Sequence, residues 1–346
     1  MLDLGVVMTN KIQFSALLVS VFIISACGGG GGGGGSAIMG GGVAPNPTPT
    51  YNYSTVDSRF DTNTVSQYDV TGVAVAQTYN QEAKANYISQ LRLGDSDMSF
   101  SSGTDANGNA FFTIDINKYY SSTPEGLSTP NEYVLNYEAS FTGNDIFTLS
   151  EAPNFLSVTK YFSNATLRMY GLNDTKAYAG TDYVDMVMWW MDYDAGTNDL
   201  VSFAFGDKTF SGDMPTSSSA DYAVKSMGFW VAEGNLYAYK GSGTLTANFQ
   251  SMTLTGSILN DYVTNNTFSW SQIAGASAGG ITFDGTISGS EVTGTIDWAN
   301  GNEGFFDASF FGPKAAEIGG SYAAYVSEEG FSGYNNHISG TFIGVK

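Results

Sequence analysis

The residue best placed for covalent chemistry is the only cysteine in the chain. Cys27 closes the run Ile24-Ser25-Ala26-Cys27 behind the apolar stretch 15–26. That stretch is too short to span a bilayer by itself and follows Lys11, the charged-then-apolar order of a secretory signal. Small residues ahead of a solitary cysteine match a bacterial lipobox, in which the thiol is acylated and becomes the first mature residue. An ordinary signal peptide ending in a chance cysteine is the competing reading. Met8 makes a better start than Met1, because residues 1–7 bring Asp3 where such signals prefer basic groups. Acyl chains such as palmitate would hold the protein stably, each buried CH₂ contributing about 0.8 kcal/mol. Gly28 stands where an aspartate would direct inner-membrane retention, so the outer membrane is expected. With one cysteine, no disulfide forms within the chain.

Little else is equipped for catalysis. Histidine also occurs once, at His337 beside Asn335 and Asn336, where an exposed polar loop is expected. One base candidate cannot assemble a Ser/His/Asp relay, and a zinc site needs several His or Cys ligands. The 33 Asp and Glu are abundant, yet abundance alone makes no catalytic dyad. No enzyme is expected. The densest oxygen cluster is Asp192-Tyr193-Asp194-Ala195-Gly196-Thr197-Asn198-Asp199, in an expected hairpin connection. It reads as a solvated loop, with weak divalent-cation binding at Asp192, Asp194 and Asp199 as the sharper alternative. No other metal site and no cofactor is expected, haem entering only as a ligand with His337 as the outside candidate.

Aromatic residues offer a different chemistry, that of protein contact. Tyr119, Tyr120, Tyr161 and Phe162 stand in the first half of the folded chain, and tyrosines anchor partners with large area and little entropy to lose. Met186, Met188 and Trp190 alternate as core residues. Trp189 and Met191 point the other way, and are either covered by the preceding domain or exposed as a contact patch.

These residues need a scaffold, and composition says of what kind. Hydrophobic content of 42%, with 14% aromatic, supplies an ample core and excludes global disorder. Only 13 Lys and Arg against a net charge of -20 argue against nucleic acid, whose phosphates demand basic partners. Eight consecutive glycines from Gly28, then Pro45, Pro47 and Pro49, read as a tether over 27–50. Residues 81–91 have helical spacing at Ala83, Tyr87, Ile88 and Leu91, while 70–78, 110–116 and 132–141 read as strands. Asp105-Ala106-Asn107-Gly108-Asn109 carries the Asn-Gly signature of a tight turn.

From Asp182 the alternation becomes regular. Leu245, Ala247 and Phe249 lead to Met252, Leu254, Gly256 and Ile258; Ile281, Phe283, Gly285 and Ile287 pair with Val292, Gly294, Ile296 and Trp298 across a short turn. Successive hairpins with one apolar face are best satisfied by closing the sheet, which removes its edges. Gly256, Gly285 and Gly294 are expected to permit the bends of a small barrel.

The corner Phe310-Phe311-Gly312-Pro313-Lys314-Ala315-Ala316-Glu317-Ile318-Gly319-Gly320-Ser321-Tyr322 breaks a strand at Gly312-Pro313, and a helical turn over 314–318 is expected before the next strand. Together with the strand Ser339-Gly340-Thr341-Phe342-Ile343-Gly344-Val345-Lys346, it resembles the barrel domain of transferrin-binding protein B; factor H-binding protein and the single-lobed haemophores are similar. The resemblance implies an all-β chain, with an eight-stranded antiparallel barrel over 182–346 behind a mostly-β handle-like domain over 51–181. Residues 1–26 would be signal and 27–50 lipidated tether. It also implies a surface lipoprotein that captures an extracellular ligand through its handle: an iron- or haem-carrying protein, haem, or another protein. Iron acquisition with an outer-membrane transporter, and display by a surface-lipoprotein translocon, belong to the same expectation. A surface adhesin or coat protein without a small ligand is the alternative.

Overall fold

The computed structural model describes residues 50–56, 66–80, 85–93, 98–104, 110–122, 131–142, 146–149, 152–161, 165–172, 175–193, 198–232, 235–264, 273–298, 302–325 and 337–346. Between residues 74 and 165 the description is of the backbone, apart from Leu93 and Met98. The signal segment, Cys27, most of the tether, the 105–109 turn, Phe162 and Asp194 lie outside these residues.

The fold is all-β, as expected, and has two parts. The first is an open sheet built from β1 (Ser66–Asn80), β2 (Ala85–Leu93), β3 (Met98–Thr104), β4 (Ala110–Ser122), β5 (Asn131–Thr142), β6 (Ile146–Leu149), β7 (Ala152–Tyr161), β8 (Ala165–Leu172), β9 (Val184–Tyr193) and β10 (Asn198–Gly206). Its order is β5-β4-β3-β1-β10-β9-β8-β7-β6, with β2 also paired to β1, and the short helix α1 (Thr175–Ala179) links β8 to β9. The second is a closed barrel of β11 (Ser219–Ala232), β12 (Asn235–Asn248), β13 (Thr253–Thr264), β14 (Gly279–Ser288), β15 (Glu291–Trp298), β16 (Asn302–Phe311), β17 (Glu317–Tyr325) and β18 (His337–Val345). β18 returns to pair with β11, from Ala223↔Val345 to Val231↔His337, so no barrel strand keeps a free edge.

Period-two patterning explains the barrel. In β14, Ile281, Phe283 and Ile287 are buried while Thr282, Asp284 and Thr286 face water. The expected hairpin is present in its expected register, Ile281↔Trp298, Phe283↔Ile296, Gly285↔Gly294 and Ile287↔Val292. All eight strands send buried side chains into one core. Phe283 lies at its centre, its ring edge-to-face with those of Phe306, Tyr322 and Phe342 at 5.2, 5.8 and 5.5 Å. A Cβ on Gly285 or Gly294 would meet the Phe306 ring at 2.5 or 2.6 Å. The glycines therefore make room for an aromatic ring. Tyr239 donates to the Tyr322 hydroxyl at 2.8 Å, and burial pushes the Tyr322 phenol up to about 12, so it stays protonated.

The sheet packs one face on the barrel's outer wall. Val184, Met186, Met188, Leu200 and Ala204 meet Met227, Phe229, Ala323 and Ile343 in a second core. The opposite face buries Val187, Trp189, Val201, Phe203 and Phe205. A strand with both faces covered reads as a nearly continuous apolar run, which accounts for Val184–Tyr193.

Several expectations are corrected. Residues 85–91 form part of β2, paired to β1 from Gly72↔Leu93 to Asn80↔Ala85, so ladder hydrogen bonds override the helical spacing. β9 and β10 belong to the open sheet and the barrel begins at Ser219, so alternation from Asp182 onward signalled two strands that lie beside the barrel. Met252 sits half exposed in the turn before β13, with φ 56. Lys314 and Ala315 have φ 54 and 53, a left-handed turn where right-handed helix was expected, and the strand resumes already at Glu317.

Candidate functional site

The corner between β16 and β17 is held from three sides. From inside the barrel, the Tyr222 hydroxyl donates to the Ala315 carbonyl at 2.7 Å. From the β10–β11 linker, the Thr209 hydroxyl donates to the Gly312 carbonyl at 2.7 Å, and Asp213 accepts from the Lys314 N–H at 3.0 Å. From the sheet, the Glu317 carboxylate accepts the backbone N–H groups of Asp182, Tyr183 and Val184 at 2.6, 2.8 and 3.0 Å. Glu317 is 2% exposed, and burial raises its pKa to about 7 although the three N–H donors pull it down. Sequence reasoning placed Glu317 in the corner motif without seeing that it clips the start of β9 to the barrel. Nothing local in the sequence marks a partner so distant along the chain.

The first described residues, 51–56, pack on the same pole. Tyr51 stacks on Phe210 at 5.1 Å, and Tyr53 packs against Phe210 and Tyr183. The Tyr53 hydroxyl donates to Asp213 at 2.9 Å and accepts from the Phe210 N–H at 3.2 Å. Asp207 accepts from the Ser54 N–H, and the Asp182 carbonyl accepts from that of Val56. Tyr53→Phe is expected to loosen this segment by about 1 kcal/mol. Limited proteolysis should then cut within residues 50–56 faster while the barrel stays intact; an unchanged rate would show that the ring contacts alone hold it.

Three of the sequence-predicted site residues, Tyr161, Asp192 and Asp199, lie at the opposite end of the sheet. In backbone register, Tyr161 pairs with Thr166, Thr166 with Asp192, Asp192 with Asn198 and Asn198 with Gln77. Tyr161 and Asp192 thus lie in one row across the strands, and Asp199 is adjacent to it. Tyr119 and Tyr120 lie on β4 three and four residues beyond its last pairing with β3, opposite Val134 and Tyr133 of β5. Gly206 and Val184, by contrast, stand at the pole bearing the corner and residues 51–56.

Two predicted site residues are not at the surface. Trp189 is 2% exposed and lies edge-to-face on Phe203 at 6.1 Å, so it packs the sheet's second face and offers no contact patch. His337 is fully buried as the first residue of β18, between Val231 and Tyr325, where an exposed loop was expected. A buried imidazole offers haem no exposed ligand here. Among the described residues, no group of three or more His, Cys, Asp or Glu could hold a metal ion, and no helix is long and apolar enough to cross a membrane.

One surface feature escaped sequence analysis. Between Lys240↔Tyr262 and Ser242↔Leu259, two residues of β13, Asn260 and Asp261, oppose the single Gly241 of β12. This β-bulge shifts the alternation by one. Ile258 and Asn260 turn inward before it and Val263 after it, leaving Asp261 and Tyr262 consecutive on the outer wall. The result is a pocket of about 210 Å³ lined by Tyr178, Lys225, Lys240, Gly241, Ser242, Asp261 and Tyr262. The Lys240 ammonium lies 4.2 Å from the Tyr262 ring centre, and partial burial lowers its pKa. A bulge is an irregularity of pairing, with no sequence signal in an otherwise alternating strand.

Residues 204–346, from the end of β10 through the whole barrel, match the family model described as the C-lobe and N-lobe beta barrels of Tf-binding protein B. No curated protein matches the chain. Among solved structures, the chain is similar to a double mutant of transferrin-binding protein B from Haemophilus parasuis, at 11% identity and TM-score 0.39, over 82% of this chain and 76% of that one. It is also similar to the isotype 1 transferrin-binding protein B from serogroup B Neisseria meningitidis, at 12% identity and TM-score 0.31, over 81% and 77%.

Proposed function

We propose, from the premise that residues 204–346 form a barrel of the transferrin-binding protein B kind, that the chain is a lipid-anchored outer-membrane protein which captures an extracellular ligand at the cell surface. One observation carries the reading furthest: Tyr161, Asp192 and Asp199 share one end of the sheet in backbone register, opposite the pole on which residues 51–56 pack. Acylation at Cys27 would hold the body at the membrane, and Tyr119, Tyr120, Tyr161, Asp192 and Asp199 are the proposed ligand contacts. Its barrel core is filled with aromatic side chains, so a ligand is met on outer surfaces. A protein ligand, iron- or haem-carrying among others, suits a broad sheet end better than haem alone, since the only histidine is buried. A transporter and a translocon enter as partners through the family likeness.

The alternative, an adhesin or coat protein, draws support from the barrel's outer face, where Thr253, Thr255, Ser257, Thr282, Thr286, Thr293 and Thr295 are exposed. Such a surface is rich in uncharged hydroxyls, with Asp284, Glu291 and Asp297 set among them.

The deciding experiment incubates the detergent-solubilised full chain with serum and, separately, with haemin. The receptor reading expects saturable capture of a serum protein, weakened at least about tenfold by Tyr119→Ala combined with Tyr120→Ala. Capture of nothing, together with self-association that grows with concentration, would favour the coat protein. Haemin binding that survives every change at the sheet end would also overturn the proposed site.

A further inference from the structure

We propose that the pocket at the β12–β13 bulge binds a compact hydroxylated carboxylate of the acidic-sugar class, Lys225 and Lys240 taking the carboxylate and Asp261 and Ser242 the hydroxyls. The site is separate from the sheet end assigned to ligand capture, and neither reading depends on the other.

Charge is the first reason. The chain carries 13 basic side chains against 33 acidic ones, yet two lysines from adjacent strands line this one depression. Lys225 pairs across with Ser242, and Lys240 with Tyr262, so the four form two neighbouring cross-strand rows on the outer wall. An anion is the complementary charge. The presence of Asp261 narrows the class to anions that also carry hydroxyls, because its carboxylate repels any anionic group but accepts hydrogen bonds from hydroxyls set apart from the ligand's charge.

Shape is the second. Tyr178 of α1 and Tyr262 of β13 supply aromatic walls, which suit the C–H faces of a sugar ring, and Leu259, 53% exposed, pairs with Ser242 at the border. About 210 Å³ accommodates one six-membered ring and is too small for a haem or a folded peptide. The floor is rigid. A Cβ on Gly241 would lie 2.2 Å from Asn260 Oδ1 and 2.7 Å from Ser226 Oγ, two buried groups joined by a 2.9 Å hydrogen bond inside the barrel. A site built on strands keeps its geometry better than one on loops.

The test is ligand-observed NMR on the full chain with glucuronate as probe, and glucose and inorganic phosphate as comparisons. Saturable glucuronate binding with Kd of about 1 mM is expected, with glucose and phosphate at least about tenfold weaker. Lys225→Met and Lys240→Met should each weaken glucuronate about fivefold or more. Lys225 is exposed and outward-facing, so its variant leaves folding intact even if Lys240→Met, at a half-buried position, does not. No glucuronate binding up to about 10 mM overturns the proposal, as does binding that both variants leave unchanged. Phosphate binding as tightly as glucuronate would overturn the sugar class, showing a plain anion site.

Discussion

Phe306→Ala should cost the barrel about 3–5 kcal/mol of stability, read as a lowered denaturation midpoint of the full chain. The ring is fully buried, lies edge-to-face on Phe283, and occupies the space kept open by Gly285 of β14 and Gly294 of β15. Alanine leaves a cavity that collapses only in part, because Gly285 and Gly294 have no side chains to move into it and the barrel ring is closed. Phe306→Leu should recover more than half of the loss. A cost below about 1 kcal/mol for alanine would mean that the ring does not fill the interior.

Glu317→Ala should loosen the barrel from the sheet by about 2–4 kcal/mol, since three backbone N–H groups at the start of β9 lose their acceptor together. Glu317→Gln separates geometry from charge. It keeps one oxygen but turns an amide N–H₂ towards donors, so it is also destabilising. The pH dependence has a definite sign. Burial raises the folded pKa to about 7 from an ordinary 4.5, so the folded state binds the proton more tightly than the unfolded chain. The stability this contributes is full below about 4.5 and is lost as pH rises through about 7, amounting to at most about 3 kcal/mol. The wild type should therefore lose its advantage over Glu317→Gln progressively between those pH values. Parallel curves for the two proteins would show that the carboxyl ionises as freely in the folded state as in water. The comparison matters because an acidic body weakens through self-repulsion as pH rises, and that background is common to both.

Legibility in the sequence followed the range of the interaction. The β14–β15 hairpin was readable to the residue, because its register is fixed by alternation on either side of a short turn and both signals are local. The Gly312-Pro313 break and the following strand were readable for the same reason. Residues 85–91 misled because short apolar runs satisfy both periods, and what decided between them was pairing with β1. The start of the barrel was misplaced because β9 and β10 alternate like barrel strands while closing nothing. Trp189 and His337 were judged by their neighbours in sequence, whereas their burial comes from Phe203 on the adjacent strand and from Val231 and Tyr325 on the flanking ones. Glu317 and the bulge pocket depend on residues tens to more than a hundred positions apart. Neither the clip nor the convergence of Lys225, Lys240 and Asp261 leaves a mark in any one segment.

Closure of the barrel is the premise on which the filled core, the corner and the family likeness all rest. Amide hydrogen exchange at the seam between β11 and β18 tests it most directly. Backbone amides that bridge 223–231 and 337–345 should exchange as slowly as those within the β14–β15 hairpin, because closure makes them interior ladder bonds. Seam amides exchanging orders of magnitude faster than that hairpin, at rates typical of exposed sheet edges, would show an open sheet and contradict the account.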